Sequence, residues 1–150
     1  MFLQNDPTVV NQFGFDDDDA GTGSNNDLQF ESPVIDLTAA HAGGETLLSL
    51  DLNYAFNNLT VGVDFLAVEY FDADAGSYFT WESLPENVTT EADYDNCANL
   101  PYTSVDLDIA GFTATQLSGF KYRINYQDNA AWAWGYCIDE PTIILSLIHI

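Results

Sequence analysis

Apolar side chains recur at every second position over two long stretches. Leu48, Leu50, Leu52, Tyr54 and Phe56 alternate with Ser49, Asp51, Asn53 and Ala55, and Phe120, Tyr122, Ile124 and Tyr126 alternate with Lys121, Arg123 and Asn125. A period of two lines up one set of side chains on one face of an extended strand, so each run predicts a half-buried β-strand. Further strands are expected at Leu28–Leu37, Asp64–Phe71, Ser77–Leu84, Thr103–Ile109 and Tyr136–Leu145, while the weakly patterned residues 1–27 carry one β-like stretch at Val9–Phe15. Turn chemistry separates them: Ala42-Gly43-Gly44, Phe56-Asn57-Asn58, Asp74-Ala75-Gly76 and Gln127-Asp128-Asn129. No stretch carries a long amphipathic helical pattern, and no internal repeat is visible. The predicted fold class is all-β, an antiparallel β-sandwich of the jelly-roll type.

A chain of 150 residues accommodates one such domain. Its 24 Asp and Glu against 2 Lys and Arg give a net charge of −22. That surface repels phosphate backbones and anionic lipid, so neither nucleic acid nor a membrane is an expected partner. Disorder is excluded by the 10 Phe, 8 Tyr and 3 Trp, which an acidic disordered tail would lack. The charge excess attracts cations instead. Most of the acids are Asp, whose short carboxylate suits loops and hard-cation sites.

Residues 1–12 read as a lead-in and residues 13–145 as the domain. Residues 146–150, Ser-Leu-Ile-His-Ile, are either a strand continuation or a non-native tail. The first residues lack the basic and apolar stretches of a signal peptide, so the protein is either cytosolic or a piece of a longer chain, and the piece is the expectation. Pro141 falls inside the last expected strand. It must lie on an edge or at a bulge, because proline cannot donate to the ladder.

Three ordered stretches carry a family resemblance: Phe15-Asp16-Asp17-Asp18-Asp19-Ala20-Gly21, Leu28-Gln29-Phe30-Glu31-Ser32-Pro33-Val34-Ile35-Asp36-Leu37, and Tyr122–Tyr126 followed by Trp134-Gly135-Tyr136-Cys137-Ile138-Asp139. Together they resemble the cleaved-adhesin and MAM-like jelly-roll domains of secreted and surface proteins in Bacteroidetes-type bacteria. The resemblance implies an extracellular, non-catalytic module that binds glycan or surface-protein ligands beside other domains of its parent chain.

Asp16–Asp19 is the sharpest chemical signal, since four adjacent carboxylates repel one another unless a cation takes their oxygens. Asp16, Asp18, Gly21 and Asp27 echo the spacing of a calcium-hand loop, but Ala20 replaces a ligand and no flanking helices are expected. Calcium is the expected cofactor, with Asp16, Asp17, Asp18, Asp19 and Asp27 as candidate ligands. Related jelly rolls recruit the acid of the final strand, which adds Asp139. The alternative is a solvated acidic loop. Asp72-Ala73-Asp74-Ala75-Gly76 has metal-loop spacing too, but a hairpin turn explains it.

Trp132, Asp128, Trp81 and Tyr78 are candidate ligand contacts, against the ordinary reading of aromatics as core. Lys121 and Arg123 are expected to pair across strands with acids. Cys97 and Cys137 either form a disulfide or are separate thiols. His41 stands alone outside the tail, and no Gly-x-Ser-x-Gly elbow occurs. A glycosidase pair such as Glu69 with Glu82 arises by chance among so many acids, so no enzymatic activity is expected.

Overall fold

The computed structural model describes residues 13–16, 27–57, 64–89, 97, 100–131 and 133–147. Among these residues, nine strands form two antiparallel sheets. The first sheet joins β1 (Phe13–Asp16), β9 (Gly135–Leu147), β3 (Glu45–Phe56) and β6 (Pro101–Thr103) in that order, with β7 (Leu107–Asp108) also on β3. The second runs β2 (Asp27–Glu31), β8 (Tyr122–Gln127), β4 (Phe65–Asp72), β5 (Ser77–Ser83). Successive strands β1 and β2, β3 and β4, and β8 and β9 lie in different sheets, the jelly-roll habit of crossing the sandwich.

The alternation places the core. Leu48, Leu50, Leu52, Tyr54 and Phe56 of β3 are buried, together with Tyr136 and Ile138 of β9. They form one cluster with Leu66 and Val68 of β4 and with Tyr122, Ile124 and Tyr126 of β8. The intervening residues therefore mark the two outer faces: Asp51, Asn53 and Ala55 on the first sheet, Arg123, Asn125 and Gln127 on the second.

Two expected strands are shorter than their pattern. Leu28–Leu37 pairs as β2 only to Glu31. Ser32-Pro33 ends the ladder because proline has no N–H to give, leaving a single bridge from Ile35 to Phe120 before a short helix, α1 (Thr38–Ala42). Thr103–Ile109 splits into β6 and β7. Between them the Val105 N–H donates to Glu82 and the Val105 carbonyl accepts from the Trp81 indole, so this stretch leaves its own sheet to tie to the other. A second short helix, α2 (Ala114–Ser118), starts at a capping box: Thr113 Oγ1 accepts from the Gln116 N–H while the Gln116 side chain accepts from the Thr113 N–H.

Pro141 sits where its chemistry requires. Two steps on β3, Asp51 to Asn53, are matched by three on β9, Thr142 to Asp139, so β9 bulges at Glu140-Pro141. Glu140 takes φ 48° there. Among the described residues β1 pairs with β9 from Asp16–Gly135 to Phe13–Ile138.

Candidate functional site

One end of the sandwich gathers carboxylates from four strand ends. Asp16 closes β1 opposite Gly135, and Asp27 opens β2 opposite Gln127, the last residue of β8. On the other side of β8, Gln127 also pairs with Phe65, the first residue of β4. Asp64 and Asp128 flank that last pair, and both are buried, at 6 % and 0 % exposure. Asp128 Oδ1 accepts from the Ala130 N–H and so shapes the turn that leads to β9. Asp17, Asp18 and Asp19 lie outside the described residues, as does Trp132. Among the described residues, no three acidic, His or Cys side chains stand close enough to hold a metal ion.

Asp139 is not at this end. It lies four residues along β9 from Gly135, about 13 Å of strand. A calcium ion binds oxygens at about 2.3–2.6 Å, so one ion cannot take both Asp16 and Asp139.

The outer face of the second sheet holds both cations of the chain. Lys121 Nζ donates to Glu31 at 2.8 Å, and Arg123 Nε donates to Glu69 at 2.5 Å. Arg123 also donates to Gln29, and Asn125 donates to Glu69. The cations pack over aromatic rings, Lys121 over Phe71 and Arg123 over Tyr78, while the Tyr78 hydroxyl donates to Glu31. The expected cross-strand pairing is thus present. Tyr78, a candidate ligand contact, is committed to this network. Trp81 is a core residue, 8 % exposed, because its strand turns that face inward. Asp128 is likewise enclosed, at 0 % exposure. Glu69 and Glu82 do not converge on a cleft: Glu69 meets Arg123, and Glu82 accepts from Tyr102 and Val105. Asp72 Oδ1 accepts from the N–H groups of Asp74 and Ala75, the hairpin turn expected there.

The outer face of the first sheet is different. Cys97 and Cys137 are disulfide-bonded, and with Ala55, Val88, Leu100 and Trp134 they cover one end of this face. Asn87 adds to that cover, its side-chain amide bonding the backbone of Tyr54 and Phe56 like a substitute strand. Beyond the cover lies a groove of about 410 Å³, floored by Asp51 and Asn53 of β3 and walled by Thr103 of β6 and by Glu140 and Thr142 of β9. Asp139 is paired in register with Asn53 beside it. The Asp139 carboxyl is pushed above the usual carboxylate range, first by burial and then by the charge of Glu140, against a donation from the Glu140 backbone N–H.

Sequence reasoning passed over Asp64, Asp51, Asn53 and Glu140. Asp51 and Asn53 carried a signal, since they are the polar partners in the Leu48–Phe56 alternation. The bulge that opens the groove beside them was marked only by Pro141. No family model matches the chain, and no curated protein is significantly similar to it.

Proposed function

We propose that this domain is a non-catalytic, calcium-stabilised binding module of a larger secreted or cell-surface protein, related to cleaved-adhesin and MAM-like domains and engaging a surface protein or glycan. The observation that carries the reading is the pair of buried carboxylates Asp64 and Asp128, set beside one another at the end of the sandwich where Asp16 and Asp27 also lie. Carboxylates gathered at adjacent strand ends repel one another when ionised, and a cation offsets that repulsion. The described acids at this end do not by themselves converge closely enough to hold an ion, so the proposed ligands are the acidic connection, Asp16, Asp17, Asp18, Asp19 and Asp27, with Asp64 and Asp128 at the strand ends beside it. Calcium would supply a structural cross-link between strand ends in both sheets.

A binding role fits what the other reactive groups do. Both cysteines are in the disulfide. His41 lies in α1 with its ring nitrogen 3.4 Å from the Ala110 carbonyl. Glu69 and Glu82 are engaged with separate partners. The three motif stretches fall at the end of β1, along β2 into α1, and across β8 and β9.

A thermal melt in excess calcium and in EDTA at equal ionic strength tests the reading. Calcium at 100 times its Kd adds about 2.7 kcal/mol, a rise of roughly 5–10 °C for a domain this size. A rise that magnesium does not reproduce supports the module; identical melts in both buffers would remove the calcium site.

A further inference from the structure

One lateral rim of the sandwich carries an open strand edge. β5 ends the second sheet, and among the described residues no backbone group pairs with its outer edge. Such an edge presents a row of N–H and C=O groups that another extended chain completes. Natural edges are blocked by lysine, by proline or by a bulge. Ser77–Ser83 contains neither lysine nor proline. Its bulge falls at Trp81, because Glu82 pairs with Val68 while Thr80 pairs with Glu69. Ser77–Thr80 therefore keeps a regular, unblocked edge.

The side chains along this rim are apolar. Phe79 is 45 % exposed and Val105 55 %, two of the four large apolar residues that face solvent among those described. The Phe79 ring stacks on Tyr70 at 6.0 Å, and Tyr70 lies 5.8 Å from Phe112. The Trp81 indole donates to the Val105 carbonyl, which brings Val105 beside the far half of β5. An exposed apolar strip bordered by charge marks a contact surface. Here the border is acidic at both ends: Glu82 and Asp106 beside Val105, and Asp74, which accepts from the Thr113 hydroxyl next to Phe112. No Lys or Arg of the chain pairs with these acids, because its two are taken by Glu31 and Glu69.

We propose that this rim takes up an extended segment of a basic partner polypeptide, which adds a strand to the second sheet at Ser77–Thr80. The proposal rests on reading the domain as a binding module and commits that module to a protein partner. Apolar side chains of the segment cover Phe79 and Val105, and its Lys or Arg side chains meet Glu82, Asp106 and Asp74. A row of backbone N–H and C=O groups is matched by another backbone rather than by a sugar ring. A second copy of this chain is the poorer occupant, since each copy carries −22 and like net charges repel.

The probe is an acetylated, amidated Thr-Lys-Val-Lys-Val-Lys-Thr peptide, titrated into the ¹⁵N-labelled full chain. Its control is Lys-Lys-Lys-Thr-Val-Val-Thr, which has the same charge without the alternation. The alternating peptide should shift the backbone amides of Ser77–Thr80, slow hydrogen exchange at alternate ones, and bind at least tenfold more tightly than the control. Phe79→Ser should weaken it at least fivefold, and Val34→Ser, an exposed apolar residue beyond β2, should leave it unchanged. If Phe79→Ser does not fold, Val105→Ser carries the same comparison. Equal binding of the two peptides, equal loss in Val34→Ser, or shifts confined to other strands would overturn the proposal. So would displacement of the peptide by methyl glucoside, or a dimer in sedimentation that Phe79→Ser abolishes. Any of these with an intact calcium-dependent melt would discard the rim's assignment and leave the module standing. Peptide binding at β5 without a calcium effect would support the rim and remove the calcium site alone.

Discussion

The two outer faces of this sandwich treat their acids in opposite ways. On the second sheet, Glu31 and Glu69 meet Lys121 and Arg123, and the network extends through Gln29, Asn125 and Tyr78. On the first sheet, Asp51, Asp139 and Glu140 gather around a β-bulge with no cation of this chain among them. With two basic residues in 150, the protein can neutralise one face only. The face it neutralises is closed by its own contacts. The face it leaves anionic has a groove.

The largest expected effect concerns the cover beside the groove. Cys97 and Cys137 close a long loop, with a sequence separation of 40. The chain-entropy model assigns such a closure about 4 kcal/mol. Replacing both cysteines with alanine should lower Tm by roughly 10–15 °C in a calorimetric scan under non-reducing conditions. A fall of only a degree or two would mean that the cover is held by Val88, Leu100 and Trp134 alone.

Next comes the paired face. Arg123→Ala leaves Glu69, 8 % exposed, without its cation. Breaking a buried pair in this way costs about 3 kcal/mol, whereas Lys121→Ala, whose partner Glu31 is exposed, should cost far less. Urea unfolding of the two variants measures the difference. Equal losses would show that the face is not graded by burial.

The smallest effects have opposite signs and compare the faces directly. Glu31 is held below its ordinary value by hydrogen bonds from Lys121 and Tyr78, so its contribution to stability is present at neutral pH and is lost as pH falls below the usual Glu range. Asp139 is raised by burial, so its ionised form weakens the fold at neutral pH and the penalty is relieved on acidification toward pH 4. Glu31→Gln should therefore lower Tm at pH 7, and Asp139→Asn should raise it. The Asp139 difference should vanish once pH falls below the ordinary Asp value, and the Glu31 difference should shrink as pH falls through its lowered value. A stabilising Glu31→Gln or a destabilising Asp139→Asn at pH 7 would reverse the comparison.

Much of this was legible in the chain. The alternation at Leu48–Phe56 and Phe120–Tyr126 specified two central strands and their buried faces, and Pro141 announced the bulge that shapes the groove. Residue spacing could not show which strands neighbour each other, and that is what separates Asp139 from Asp16 and brings Asp64 next to Asp128. Those relations come from long-range register, which no local pattern encodes. The capping box at Thr113–Gln116 was missed, because a helix of five residues leaves no periodicity to draw attention to it. Trp81 shows the same limit from the other side: an aromatic in an alternating strand has two possible faces, and only the packing of the opposite sheet chooses between them.

The central claim is the cation at the Asp64–Asp128 end, and a calorimetric titration of calcium into the calcium-free chain tests it most directly. Asp128→Asn is the informative variant, because its Oδ1 can still accept from the Ala130 N–H and keep the turn. The account predicts one calcium ion per chain at this end, with affinity at least tenfold weaker in Asp128→Asn and in Asp64→Asn. No binding heat at any calcium concentration, or equal affinity in the wild type and both variants, would contradict it.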